Sequence, residues 1–304
     1  MRLATTTEDF DRFFPTYAER IAHIYEAGFR CIDLSLYTPS HCGELLLSDN
    51  WRENAARIKT LTEALGMSFV QAHSPGGNPL DPGAQGGKLA ELTVRSIEVC
   101  GALGIPQIVV HAGFGKDLSK EEFFLQNRAF YHSLIPVMEE TGVNVLVENG
   151  TRANMGDMFY LYTGEDMVEF VRSLDHPQFH ICWDTGHGNC EGAQCRQLAA
   201  MGSELHGVHI NDNRGFQDEH ILPYMGTVSM DDVMHGLLDA GYKGVFTFEC
   251  GNALRPAKFW LGDRQAFDGD NRLAASTLEM QDAIEALMYQ IGKHILTAYG
   301  CFEE

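Results

Sequence analysis

Metal-binding residue types recur at one kind of place in this sequence, the last positions of short apolar runs. Six consecutive runs end in a histidine or a carboxylate, namely His73, His111, Glu148, Asp184, His209 and Glu249. Burying such groups is costly unless they are paired or bound to a cation. Imidazole and carboxylate ligands without thiolates favour Zn²⁺, Mn²⁺, Fe²⁺ or Co²⁺ over Ca²⁺. The pattern therefore predicts a divalent metal site.

Each of these residues also has a purely structural explanation. A single histidine at a strand end is more often a hydrogen-bonded core residue than a ligand. Asp184 begins the segment DTG, which is favourable turn chemistry for a capping carboxylate. These explanations would have to hold independently at all six positions, so we favour the metal site. The histidines without this placement are predicted to be structural or exposed: His23, His41, His132, His176, His180, His206, His235 and His294.

The runs that carry the six residues are predicted to be β-strands. Eight candidate strands alternate with amphipathic helical stretches and lie at 2–7, 31–36, 68–73, 107–112, 144–149, 179–184, 206–211 and 245–250. Apolar strands separated by helices are typical of a parallel sheet covered by helices. Eight such units close into a (β/α)₈ TIM barrel. No linker divides the sequence, so we expect a single α/β domain over 1–304, with a C-terminal helix from about 270 to 298 packing on the barrel.

Long irregular stretches follow four of the strands directly, at 74–87, 150–163, 211–228 and 251–269. In a TIM barrel the loops after the strands form the C-terminal face, where active sites lie. The six strand-end residues face the same mouth, so we expect them to converge there. Aromatic residues near this mouth either shape the pocket or pack within it: Tyr37, Phe114, Phe159, Trp183, Phe216 and Trp260.

The composition of the chain indicates which kinds of partner and which location to expect. With 22 basic and 42 acidic residues the formal charge is −20, which disfavours binding to a phosphate backbone. We find neither a basic segment followed by an apolar leader nor an apolar run long enough for a membrane span, and we expect neither. The eight cysteines form no CxxC pair, and several lie in strand-like runs, which favours reduced thiols and a cytoplasmic location.

Four segments resemble the xylose isomerase-like TIM barrel superfamily: VENG, CWDTGHGN, GVHINDN and FTFECG, in that order. The likeness covers nearly the whole chain. The superfamily includes sugar and sugar-phosphate isomerases and epimerases, inosose dehydratases and the endonuclease IV group. The resemblance implies one central metal, bound by Glu148, Asp184, His209 and Glu249.

The endonuclease IV group adds ligands for two further zinc ions, and the resemblance reaches these positions too. By motif match, His73 and His111 would join Glu148 at one ion. His187 would join Asp218 and His220 at the other. Many sugar epimerases of the superfamily match only at the central four positions. The full set of central and additional ligands therefore implies one to three bound ions, and the hydrolysis of a phosphate ester is an alternative activity.

The leading hypothesis is a divalent-metal-dependent sugar or sugar-phosphate isomerase or epimerase that works through an enediolate. Glu148 and Glu249 are the predicted proton carriers. His187, Arg214 and Asn149 are predicted to bind a small polyhydroxylated or phosphorylated substrate. The alternatives are an endonuclease IV-like phosphoesterase with several zinc ions, and a keto-sugar dehydratase or lyase.

A non-catalytic sugar-binding barrel is the least favoured hypothesis, because clustered ionisable groups are usually functional. A DNA endonuclease is disfavoured by the net charge and by the lack of a loop rich in cations and aromatic residues. The apolar residues of the C-terminal helix can pack on the barrel and also on a second subunit, so a homo-oligomer is one of the alternatives.

Overall fold

Eight parallel strands wind around one axis and pair with their neighbours in chain order. The computed structural model describes residues 1–251, 253–254 and 276–304. The sheet runs from β7 through β6, β5, β4, β3, β2 and β1 to β8. The strands are β1 (Leu3–Thr6), β2 (Cys31–Ser35), β3 (Ser68–His73), β4 (Gln107–Val110), β5 (Asn144–Glu148), β6 (Phe179–Asp184), β7 (Leu205–His209) and β8 (Phe246–Thr247).

The barrel closes between β8 and β7. Ile210, the first residue after β7, forms a single parallel bridge with Phe248. The N–H of Ile210 donates to the carbonyl of Thr247 at 2.7 Å, and the N–H of Glu249 donates to the carbonyl of Ile210 at 3.1 Å. The predicted (β/α)₈ TIM barrel is therefore confirmed. β8 is shorter than the predicted 245–250, because beyond Thr247 the backbone makes isolated hydrogen bonds rather than a ladder.

Helices occupy the connections between the strands. A capping box starts the helix that follows β4: the Ser119 side chain accepts the N–H of Glu122, whose carboxylate accepts the N–H of Ser119. The helices are α1 (Tyr17–Ala27), α2 (Gly43–Leu46), α3 (Trp51–Ala64), α4 (Ala84–Leu103), α5 (Lys120–Thr141), α6 (Arg152–Met155), α7 (Gly164–Ser173), α8 (Thr185–Glu191), α9 (Gln194–Met201), α10 (Met230–Asp239) and α11 (Leu278–Ala298).

Several other predicted boundaries also differ from the structure. The stretch 74–87 is already helical from Ala84, and 150–163 contains α6. The C-terminal helix begins at Leu278 rather than near 270, because the side chain of Thr277 caps it by accepting the N–H of Met280. Residues 270–275 lie outside the described residues. α11 contacts the barrel through Tyr289, whose ring lies 5.2 Å from the ring of Phe29.

Apolar side chains fill the space between the sheet and the helices, and these include Ile108 and Val110 of β4. The barrel interior is smaller and partly polar. Val109, Leu146 and Cys182 form an apolar layer there. Among the described helices, none combines the length and the hydropathy that a bilayer crossing requires.

Two register shifts bring particular residues level at the mouth. Between β2 and β3 the pairing moves from Ile32 with Phe69 to Asp33 with Gln71. Between β6 and β7 a similar shift lies next to Cys182, and it leaves Asp184 paired with His209. Bulges of this kind re-aim side chains near active sites. Here the second shift places two of the predicted metal ligands side by side.

Candidate active site

Four of the predicted ligands form one compact group, which we name the inner cluster: Glu148, Asp184, His209 and Glu249. Each offers one ligand atom, and these atoms all lie within 4.8 Å of one another. Glu148, Asp184 and His209 are the last residues of β5, β6 and β7, whereas Glu249 follows β8 by two residues. Because parallel strands end at the same edge, the sheet itself assembles this cluster.

Glu148 is the most contacted carboxylate of the inner cluster. One oxygen, Oε1, lies 2.5 Å from Nδ1 of His209. The other, Oε2, lies 2.7 Å from Nε2 of His111 and 3.5 Å from Nε2 of His73. Burial opposes ionisation, but the three imidazoles hold the pKa of Glu148 well below its usual value. Glu148 is therefore a carboxylate at neutral pH.

Glu249 has the opposite electrostatic setting. Its Oε2 lies 3.4 Å from Nδ1 of His209 and 3.4 Å from Nδ1 of His220. Burial, together with Glu148 and Asp184, outweighs the two imidazoles and raises the pKa of Glu249 to about 7. Two carboxyl groups whose pKa values are pushed apart can carry opposite acid–base roles.

Asp184 both caps a helix and belongs to the inner cluster. Its Oδ1 accepts the N–H of His187 at 2.6 Å at the start of α8, as the capping explanation predicted. Its Oδ2 accepts from the amide of Asn211 at 2.5 Å. Asn149 also supports it, because Asn149 accepts the backbone N–H of Asp184 at 2.7 Å and donates to its carbonyl at 3.2 Å. Through these two hydrogen bonds Asn149 links the ends of β5 and β6. A contact between Asn149 and substrate stays a prediction.

His73 and His111 lie together beside Glu148. Their Nε2 atoms are 3.1 Å apart. Tyr37 covers them, with its ring centroid 5.3 Å from that of His73 and 6.0 Å from that of His111. Gly76 makes room for this ring, since a Cβ at that position would collide with it. Tyr37, which is exposed, is thus part of the mouth and not of the apolar core.

The remaining three predicted ligands form a second group, which we name the outer cluster: His187, Asp218 and His220. Their ligand atoms also lie within 4.8 Å of one another. Asp218 bridges the two histidines, with Oδ2 3.1 Å from Nε2 of His187 and Oδ1 2.9 Å from Nε2 of His220. His187 connects the two clusters, because its Nδ1 lies 3.7 Å from Oδ1 of Asp184.

The histidines of the two groups differ in their pKa values. Burial lowers the pKa of His111 below its usual value, despite the adjacent Glu148. Burial would also lower the pKa of His187, but Asp184 and Asp218 outweigh it and raise the pKa to about 10. His187 is therefore protonated at neutral pH when no cation competes, and a cation at the outer cluster would have to displace that proton.

The loop 211–228 carries the outer cluster and is held by two buried acids. Asp212 accepts the N–H groups of Gly226 and Val228, each at 2.9 Å. Glu219 accepts the N–H of Arg214 at 2.8 Å. His220 adopts a left-handed backbone conformation with φ 48°. A non-glycine residue in that region is held there by its surroundings, which is common at functional sites.

Arg214, predicted to bind substrate, pairs within the loop instead of standing free. Its Nη1 lies 3.3 Å from Oε1 of Glu219, and its side chain is 45% exposed. Of the predicted mouth aromatics, Phe216 is exposed, while Phe159 and Trp183 are buried. Phe114 is partly buried and packs against the core. Trp260 lies outside the described residues.

Two polar residues of the site were not predicted. Asp33 and Gln71 lie buried inside the barrel below His209. The amide of Gln71 donates to Oδ2 of Asp33 at 2.9 Å and lies 3.0 Å from Nε2 of His209. Both are polar residues in the middle of apolar strand runs, CIDLSL and SFVQAH. That interruption is the signal that could have identified them.

The inner cluster fits a divalent cation. Three carboxylates and one imidazole converge there, a donor set suited to Zn²⁺, Mn²⁺, Fe²⁺ or Co²⁺. Among the residues that the structure describes, the carboxylates of Glu148, Asp184 and Glu249 pair only with histidines and with no lysine or arginine. Three clustered carboxylates that pair with histidines alone are further stabilised by a bound cation.

Sequence comparison gives a family and a relative. A family model described as a xylose isomerase-like TIM barrel matches residues 21–284. An uncharacterized protein of Methanocaldococcus jannaschii is 27% identical over 192 residues, which cover 59% of this chain and 64% of that protein. The chain thus spans slightly less than two thirds of that relative.

Solved structures share the fold. D-psicose 3-epimerase of Clostridium cellulolyticum H10, solved with D-tagatose, has a TM-score of 0.75 and 17% identity, covering 97% of this chain and 99% of that one. The IOLI protein with a binding zinc atom has a TM-score of 0.74 and 16% identity, covering 98% and 99%. At these identities the likeness shows the barrel and nothing more.

Proposed function

Because the chain belongs to the xylose isomerase-like TIM barrel family, we propose that it is a divalent-metal-dependent isomerase or epimerase of a sugar or sugar derivative. The inner cluster carries the proposal. Glu148 and Glu249 approach His209 from β5 and from the end of β8, and their oxygens lie 2.5 and 3.4 Å from Nδ1 of this residue. Two carboxylates so arranged can address opposite faces of a bound sugar.

The proton transfers follow from the two carboxyl environments. Glu148 is ionised at neutral pH and can accept the proton from the carbon next to a substrate carbonyl. Glu249, with a pKa of about 7, can deliver a proton to the other face. Exchange of roles between the two groups would run the reaction in reverse. A dehydratase or lyase would begin with the same proton abstraction.

The inner cluster would hold the cation through Glu148, Asp184, His209 and Glu249. A divalent ion held by these residues would supply Lewis-acid polarisation of a substrate carbonyl. Asn149 and Asn211 keep Asp184 in place through the hydrogen bonds described above. The zinc atom of the similarly folded IOLI protein supports a cation in this kind of barrel.

Hydrogen exchange with solvent tests this function. Wild-type protein loaded with Mn²⁺ is incubated with D-tagatose, D-psicose or D-fructose in D₂O, and deuterium in the sugar is followed by NMR. We expect exchange with at least one sugar. Glu148→Gln and Glu249→Gln should each abolish it, because each removes a proton carrier.

The matched control is Glu285→Gln, which replaces a fully buried carboxyl group on α11 by an amide. Among the described residues this carboxyl group interacts with Thr5, Asp9 and Gln281, and burial holds its pKa well above the usual value. The exchange rate of this variant should equal that of the wild type. Exchange that persists in both Glu148→Gln and Glu249→Gln contradicts the assignment. Wild-type protein that binds metal but exchanges no hydrogen with any sugar contradicts an isomerase or epimerase.

A second candidate is a multi-ion phosphoesterase of the endonuclease IV type. The outer cluster supports it, together with the His73 and His111 pair, because these groups offer ligands for further ions near the inner cluster. Clustered ions generate a hydroxide and stabilise the leaving oxygen of an ester.

Metal analysis separates the two candidates. Elemental analysis of the purified protein and hydrolysis of bis(p-nitrophenyl) phosphate are measured together. Two or three ions per chain with hydrolysis lost in His220→Ala would favour the phosphoesterase. One ion per chain with no hydrolysis would favour the isomerase or epimerase.

A further inference from the structure

A buried carboxylate lies beneath the inner cluster, inside the barrel. Asp33 of β2 is 2% exposed. Its Oδ2 lies 3.5 Å from Nε2 of His209, on the side of the ring that faces away from Glu148 and Glu249. The other oxygen, Oδ1, has no hydrogen-bond partner among the described residues. A charged group so placed is costly, so packing alone does not explain it.

The strands are built to place Asp33 beside His209. The register shift between β2 and β3 sets Asp33 opposite Gln71, whose amide donates to it at 2.9 Å. A regular ladder would pair Asp33 with Val70 instead. The shift therefore turns Asp33 and Gln71 toward each other and toward the imidazole above them.

Gly207 of β7 supplies the space for this contact. A Cβ there would collide with Oε1 of Gln71 and would lie 2.6 Å from Leu146. Gln71 is fixed from below as well, because Gln107 donates to its Oε1 at 3.3 Å. Residues of four strands thus converge on the inner side of one imidazole.

We infer that Asp33 is a positioning residue for metal binding, which holds His209 with Nδ1 directed at the inner cluster. An imidazole that binds a cation through Nδ1 must carry its single proton on Nε2. The Asp33 carboxylate, 3.5 Å from Nε2, is the acceptor available for that proton, because the Gln71 nitrogen that lies 3.0 Å from Nε2 is itself a donor. A carboxylate acceptor fixes both the tautomer and the ring orientation. The inference rests on the proposed metal-dependent function, and it adds a residue that touches neither the cation nor the substrate.

Paired substitutions test the inference. Asp33→Leu keeps the branching at Cγ and removes the acceptor, although it is larger, while Asp33→Asn keeps the size and an acceptor oxygen without the charge. Mn²⁺ binding is measured by isothermal titration calorimetry. We expect Asp33→Leu to raise the Kd for Mn²⁺ about 10- to 100-fold, the usual cost of losing such a partner. Asp33→Asn should fall between this variant and the wild type.

A spectroscopic signature distinguishes positioning from a general structural role. In the zinc-loaded protein, the Nε2 proton of His209 should give a downfield imidazole resonance that is absent in His209→Gln. Asp33→Asn should move this resonance upfield, because the acceptor loses its charge. Glu285→Gln again serves as the control, since it replaces a buried carboxyl group elsewhere by an amide and should change neither Kd nor resonance.

The outcomes separate this inference from the proposed function. Wild-type protein that binds neither Mn²⁺, Co²⁺ nor Zn²⁺ overturns the proposed function. Wild-type binding that is matched by folded Asp33→Leu overturns the inference alone. If Asp33→Leu does not fold, Asp33→Asn decides, because equal Kd and an unmoved resonance in that variant also overturn it.

Discussion

The inner and outer clusters contain similar residue types but differ in how they are held. Three of the four inner residues end β-strands. In the outer cluster only His187 lies on a regular element, the helix α8. Asp218 and His220 belong to the loop 211–228, and His220 has a left-handed backbone. The inner cluster is thus set by strand register, whereas the outer cluster depends on a loop folding correctly.

This difference also appears in burial and charge. Glu148, Asp184 and His209 are buried, while the outer side chains are 12% to 19% exposed. The outer cluster is balanced without a cation, because two histidines flank a single carboxylate. The inner cluster has three carboxylates around one imidazole. An excess of buried negative charge therefore marks the inner cluster as the place where a cation is most needed.

The largest expected effect tests whether the inner cluster, rather than the outer cluster, is the main metal site. His209→Ala removes the imidazole between Glu148 and Glu249, and we expect metal-dependent turnover to fall about 1,000-fold or more with loss of the inner ion. Turnover is measured as kcat/KM on the sugar that exchanges hydrogen, and bound metal by elemental analysis. The control His206→Ala changes a histidine at the other end of the same strand and should alter turnover less than about threefold. Full metal content in His209→Ala would refute the inner cluster as the metal site.

A smaller effect is expected from the outer cluster. Asp218→Asn removes the carboxylate that bridges His187 and His220, and we expect a fall in kcat/KM of about 10- to 100-fold with the inner ion retained. Asp157→Asn, an exposed acid of a neighbouring loop, is the matched control and should behave as the wild type. A loss as large as that of His209→Ala would erase the distinction between the clusters and favour the phosphoesterase.

The smallest effect concerns stability and pH in the metal-free protein. The pKa of His187 is about 10, above its ordinary 6.5. Its contribution to stability is therefore fully present below pH 6.5 and is lost as the pH rises through about 10. We expect the melting temperature of the wild type to exceed that of His187→Gln at pH 6.5, by on the order of 5 °C, and this difference to shrink by pH 10. A difference that grows with pH would contradict the protonated state of His187.

Particular residues show how far the sequence could predict the site. The strand-end positions of His73, Glu148, Asp184 and His209 follow from apolar runs that stop at an ionisable residue. The ring of Tyr37 over the histidines could be anticipated only as one aromatic among several near the mouth. Asp33 and Gln71 were missed, because a polar residue inside one strand has no meaning until the neighbouring strands are aligned.

The start of α11 and the partner of Arg214 also depend on individual contacts that the sequence pattern does not show. Thr277 caps α11 at Leu278, and a single hydroxyl among many polar residues does not stand out in a sequence. Arg214 pairs with Glu219, five residues later in the loop, and its contact with substrate stays a prediction. Such a pairing depends on the path of the loop, which apolar periodicity does not describe.

The sequence by itself determined the eight alternating units, and therefore the barrel, because the burial of apolar strands and helices leaves few other arrangements. It also determined which residue types reach the mouth, since strand ends share one edge. Only the tertiary structure decided which of those residues touch. Two register shifts, the space at Gly207 and the left-handed His220 set the distances, and each depends on contacts between residues far apart in the chain.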